Sequence, residues 1–344
     1  MSGTAGARLL FSLLSAVLFS GCVSSLPSST PEQALRDDLP FHLRHPDSVT
    51  ELLAATVVRA DIVAVGEGGT IIRSSDSAQT WQKSVVPVSS TLTSVSFALD
   101  ALHGWAVGHD AVILATADGG ETWHQQWQGE NSATWLLDVY AVDEHRVIAV
   151  GKNGLYVETS DGGSTWTERK LLARDTHLNR ISRGPSGTLY LAGEHGTGLR
   201  SLDAGLTWTA LSSPSPETLY GILPLGPKAL LAYGGSMAGD VYRSENDGRT
   251  WSALHLTRQI LIKTGLIMRD GSILLAGESG DWRPDKFNGY FLSRDGGHTF
   301  GPWKVVPARQ HDAINRSPLI GLLQAPDGSI VSFGPTGATI LGPP

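Results

Sequence analysis

Ser201-Leu202-Asp203-Ala204-Gly205-Leu206-Thr207-Trp208 is one of six versions of a single eight-residue phrase in this 344-residue chain. The others begin at Ser74 (SSDSAQTW), Thr116 (TADGGETW), Thr159 (TSDGGSTW), Ser244 (SENDGRTW) and Ser293 (SRDGGHTF). Successive starts lie 42, 43, 42, 43 and 49 residues apart. A turn phrase returning at a fixed period of this size marks a repeat architecture, in which each unit buries its apolar faces against its neighbours.

The residue types explain the phrase. Asp76, Asp118, Asp161, Asp203, Asn246 and Asp295 hold its third position. Short polar side chains of this kind fold back onto nearby backbone groups and fix a tight turn. Glycine at the fifth position suits a positive φ, with Ala78 as the one exception. Thr followed by Trp81, Trp123, Trp166, Trp208, Trp251 or Phe300 restarts a strand. Removing roughly 200 Å² per tryptophan from water contributes about 5 kcal/mol gross at ~25 cal/mol per Å². The phrase is therefore a structural staple, since a catalytic centre would not be repeated six times.

Between phrases the chain divides into four short strands per period. The third period reads LLDVYAVD, RVIAVGKNG, LYVETSDGG and STWTERKL, with Gly or Asp at each break. Four antiparallel strands in about 40 residues describe a propeller blade. Six phrases give six blades, and SPLIGLLQAPDG, SIVSFGPTG and ATILGPP supply three strands of a seventh. An all-β, seven-bladed propeller over residues 40–344 is expected, with residues 40–46 (PFHLRHP) closing the last blade.

The first 21 residues read as a lipoprotein-type signal peptide: Arg8, an apolar run from Leu9 to Phe19, then Ser20-Gly21 before Cys22, the sole cysteine. The apolar core is too short to span a bilayer. Acylation of Cys22 would anchor the chain, and residues 22–39, rich in Ser and Pro, read as a flexible tether. By resemblance to the lipoprotein sorting rule, Val23 points to the outer membrane and a periplasm-facing protein.

In a four-stranded meander the phrases share one end with the turns between first and second strands. The opposite end carries the links between blades, where function concentrates. Three of those links run against the chain's net charge of −7. They contain Arg169, Lys170, Arg174, Arg180 and Arg183; Arg258 and Lys263; and Arg309 and Arg316. Arg283 lies in a long turn at the same end. If these cations converge, they attract an anionic partner. The acidic balance and the export signal exclude nucleic acid, and the scattered histidines fit no metal-site spacing.

The phrase resembles the Asp-box (BNR) repeat. The stretches Gly104-Trp105-Ala106-Val107-Gly108, AVGEGGTIIRSSD and AVGKNGLYVETSDGG resemble blades of the photosystem II stability/assembly factor family. That resemblance implies an exported, monomeric scaffold without cofactor, metal or catalysis. Its partner would be a membrane protein or an assembling membrane complex, bound through the face opposite the boxes. The alternative is a sialidase-like or glycan-binding propeller. Asn179-Arg180-Ile181-Ser182 comes nearest to the sialidase arginine signature but lacks its flanking residues, and Trp127, Trp135 and Trp282 could stack on a sugar.

Overall fold

The computed structural model describes residues 50–131, 133–279, 288–305 and 319–342. Seven antiparallel sheets follow one another along the chain, six of four strands and the last of three. Cys22, the tether, the closing segment 40–46, Arg283, Arg309, Arg316 and Trp282 lie outside the described residues. Apart from three-residue turns such as Lys152–Gly154, the described secondary structure is all strand. Among these residues no helix is long and apolar enough to cross a membrane.

The first strand of every blade touches the first strands of both neighbours, and that of blade 7 touches blade 1. Seven first strands therefore ring a central channel. The second strand of each blade, such as Val147–Gly151 or Leu230–Gly234, is buried along its length, with only the terminal Asp61 and Glu278 partly exposed. This explains its unbroken apolar run, for a strand covered on both faces has no polar side to alternate with.

The core is divided among the seams. Seven clusters of buried side chains occupy the seven junctions between successive blades. Each box aromatic packs into the seam behind its own blade: Trp123 between blades 1 and 2, Trp208 between 3 and 4, Phe300 between 5 and 6. Trp81 packs between blades 7 and 1, beside Leu52, Ile62 and Phe333. Burial of these aromatics is uneven. Trp81 and Trp123 are buried, whereas Trp166, Trp208 and Trp251 are half-buried.

The box is built as its residue types require. Ser201 Oγ donates to Asp203 Oδ1 at 2.7 Å and accepts from the Gly205 N–H at 2.7 Å. Asp203 also accepts from the Thr207 N–H at 2.8 Å and the Thr207 hydroxyl at 2.6 Å. In the fifth box Asn246 Nδ2 instead donates to Thr250 Oγ1 at 2.8 Å. A hydroxyl can donate or accept, so the box takes either residue.

These bonds hold the box carboxylates ionised. At Asp161 the Thr165 hydroxyl, then the Thr165 N–H and the Thr159 hydroxyl, draw the pKa from 3.8 to about 2. Thr207 and Ser201 do the same at Asp203. A depressed native pKa gives stability that is complete above the ordinary carboxylate value and is lost as pH falls through the native one. Denaturant midpoints should therefore fall between about pH 4 and about pH 2. Asp161→Asn with Asp203→Asn, copying the fifth box, should flatten that fall while leaving stability at neutral pH nearly intact. An unchanged pH slope would refute this account.

Both ends of the blades are fixed by backbone bonds. At one end the turn between second and third strands docks on the start of the first strand, as in His109 N–H to Thr91 O and Lys152 N–H to Trp135 O, both 2.9 Å. At the other end the boxes meet the turns between first and second strands, as in Gly162 N–H to His145 O at 2.9 Å. Glycine closing the second strand permits the first contact. A Cβ on Gly66, Gly108, Gly151 or Gly277 would lie 1.9–2.1 Å from a backbone oxygen at the start of the first strand.

Candidate functional site

The inner strands leave their channel-side backbone groups without strand partners, and polar side chains from adjacent blades satisfy several of them. Thr93 Oγ1 donates to Leu136 O at 2.7 Å, Asn179 Nδ2 to Leu219 O at 2.9 Å, and Ser182 Oγ to Ile222 O at 2.6 Å. Asp138 joins three blades: it accepts from Ser94 Oγ at 2.6 Å and from the Ile181 N–H at 2.7 Å. Burial pushes its carboxyl above the usual range, with the Arg180 charge and these hydrogen bonds pulling the other way.

Arg180 lines the same channel cavity of 260 Å³, with Ser94, Asp138 and Thr264. Among the described residues its guanidinium makes one hydrogen bond, to the Tyr233 hydroxyl at 3.3 Å. Gly221 makes room for that hydroxyl, since a Cβ there would lie 2.2 Å from it. The sialidase-like reading of Asn179-Arg180-Ile181-Ser182 finds different chemistry: Asn179 and Ser182 bridge blades, and Arg180 rests on a tyrosine.

Among the described residues, the remaining cations from the basic links are divided between the two ends of the blades. Arg174 is exposed on the face opposite the boxes and donates to His195 O at 3.3 Å. On that face Lys170 pairs with Asp175 and Lys263 with Glu278, each at 2.8 Å. Arg258 has an interaction of its own. Arg169 is drawn away, donating to Leu206 O at 2.8 Å and Gly205 O at 2.9 Å in the fourth box. Arg183 ends an inner strand at the box end.

Arg169 belongs to a set of clamps that segment charge did not reveal. Arg146 donates to Ala204 O at 2.6 Å, Arg243 to Gly296 O at 2.7 Å, and Arg269 to Ala325 O at 2.8 Å. Arg200 pairs with Asp247 in the fifth box, and Arg73 reaches Glu121 in the second at 3.5 Å. Each runs from one blade to the next. The sequence carried a signal for three of them: Arg73, Arg200 and Arg243 stand immediately before the box serine.

Of the aromatic candidates for sugar stacking, Trp135 is fully engaged and Trp127 is half-buried. The Trp135 indole stacks on His109 at 3.9 Å and carries Lys152 Nζ at 3.1 Å from its centroid. Two groups that close cannot share a face, so both faces are covered. Trp127 packs on the cluster between blades 2 and 3. Among the described residues no group of three or more His, Cys, Asp or Glu is placed to hold a metal ion.

An Asp-box β-propeller with a polar channel is therefore the class that the fold and this face define. The chain belongs to the family described as photosynthesis system II assembly factor YCF48, whose model matches residues 73–134 and 129–273. Photosystem II assembly lipoprotein Ycf48 of Synechocystis sp. is 41% identical over 46 residues, 13% of this chain and 14% of the relative. Photosystem II assembly protein Ycf48 of Thermosynechococcus vestitus is 42% identical over 43 residues, 12% of each. The chain thus matches about a seventh or less of these relatives' length. A solved structure described as YCF48 bound to D1 peptide superposes with a TM-score of 0.66 at 21% identity, over 87% of this chain and 95% of that one. YCF48 from Cyanidioschyzon merolae gives 0.66 at 16% identity, over 87% and 97%. At these identities the structural likeness speaks for the fold alone.

Proposed function

We propose that this protein is a non-catalytic, exported assembly factor. It holds an anionic segment of a membrane-protein partner at the channel mouth, on the face opposite the boxes. The observation that carries this reading is Arg180, a guanidinium enclosed by the blades with one long hydrogen bond, facing a 260 Å³ cavity. Arg180 shares its cavity and charge with Asp138, but its one long hydrogen bond leaves guanidinium donors for an incoming carboxylate, and charge-assisted hydrogen bonds are strong where water is scarce. Arg174 on the same face extends the attraction. Family membership and a structural neighbour described with a bound D1 peptide support a peptide segment as the ligand.

In this reading the protein acts as a monomer, tethered to the outer membrane through acylated Cys22. Arg180→Gln with Arg174→Glu should recover at least tenfold less partner from detergent-solubilised membranes than wild type. The difference should shrink at high salt, which screens the attraction. Equal recovery by a folded variant would overturn the proposal. A fatty-acid probe should label wild type and leave Cys22→Ser unlabelled; an equally labelled variant would remove the anchor.

A further inference from the structure

A groove of 570 Å³ opens between the outer edges of blades 2 and 3, away from the channel. Ala111, Trp127 and Leu155 give it an apolar lining, and Glu130 and Glu168 contribute carboxylates. Among the described residues no lysine, arginine or histidine lines it. Both glutamates are exposed, and among the described residues neither carboxylate has an ion-pair or hydrogen-bond partner. This contrasts with Glu158 and Glu278, each matched to a cation of its own blade, and with Glu194, which is bonded to His177.

The lining is built in place. Trp127 sits in the fourth strand of blade 2 (His124–Gln128), paired with Ile113, and its indole packs on the seam cluster. Gly129 keeps that position open, since a Cβ there would lie 2.8 Å from the Ala111 Cβ and 3.2 Å from the indole. The chain itself shows what such a surface accepts. One blade link away Lys152 lies over Trp135, and Arg169 lies over Tyr156 with 4.9 Å from its guanidinium carbon to the ring centroid.

We propose that this groove is a second docking site, for an extended basic segment of a protein partner. Lysine or arginine stems would lie along Trp127 and Leu155, with the cationic heads between Glu130 and Glu168. Long cationic side chains bury their methylenes on apolar surface while the charge stays at the rim, and an indole face adds attraction for the cation. The site is opposite in sign to the channel mouth and does not rest on the function proposed above. One partner offering both charges would be held at two points, which multiplies affinity without new contacts.

Fluorescence anisotropy with a labelled octapeptide alternating Lys and Leu tests it, beside counterparts carrying Glu or Gln in place of Lys. The Lys peptide should bind wild type and the other two should not. Glu130→Gln with Glu168→Gln should weaken binding at least tenfold, and Trp127→Leu comparably. Glu67→Gln with Glu217→Gln, exposed acids elsewhere on the molecule, should bind as wild type does. Equal binding of the Glu peptide, an unaffected groove variant or an equally impaired control would each overturn the proposal. So would binding of a neutral oligosaccharide that Trp127→Leu abolishes, with no binding of the Lys peptide.

Discussion

Trp81→Ala is expected to cost about 3–5 kcal/mol, the range for deleting a large aromatic from a packed core. Trp81 is 1% exposed and fills the seam where blade 7 meets blade 1. Its neighbours Leu52, Ile62 and Phe333 come from opposite ends of the chain, so their contact closes the ring. A cavity there weakens the one junction that no short stretch of chain holds together. Trp251→Ala, at a half-buried box tryptophan, should cost clearly less. Urea denaturation compares the two, and a loss below about 1 kcal/mol for Trp81→Ala would mean that the closing seam does not depend on it.

Gly151→Ala should be nearly as damaging, for a different reason. Gly151 has φ −168°, an extended backbone open to any residue, so conformational freedom is not at stake. A methyl group there would sit 2.1 Å from the Trp135 carbonyl oxygen, and no rotamer can relieve a clash with backbone. The second strand would have to part from the first, at a cost of about 3 kcal/mol, the upper end for overpacking. Gly68 provides the contrast, with φ +63° and open space around its Cβ position. Gly68→Ala meets only left-handed strain, about 1 kcal/mol. If the two variants melt together, crowding is not what selects glycine at the strand end.

The repeat phrase made the fold legible. Its period, turn chemistry and aromatic give blade number and meander order without reference to any contact, because each term acts within about ten residues. Seam membership of the aromatics was not legible: the six phrases are nearly alike, yet Trp81 is buried where Trp166 is half-buried. The cations were the least legible part. Summing charge along a link counts Arg169 as surface, while its long side chain reaches carbonyls of another blade. Lys263 is likewise matched by Glu278, an acid that sequence distance does not identify as a neighbour. Arg180 was selected as part of a basic link, and its position in the channel depends on its strand register.

The clamps all point the same way, from one blade to the box or turn of the next. Blades 4, 5 and 6 therefore each carry both a grip for the unit ahead and a handle for the unit behind. A tandem copy of such a unit would meet its neighbours with both kinds of contact already matched, so the seams place no bar on a gene gaining or losing a repeat. The restriction comes from the channel. Ser94, Asp138 and the Ile181 N–H join blades 2, 3 and 4 at 2.6 and 2.7 Å, which fixes the spacing of the inner strands. An eighth blade would widen the ring and part those bonds. The periphery is indifferent to copy number, and the polar lattice at the axis does the counting.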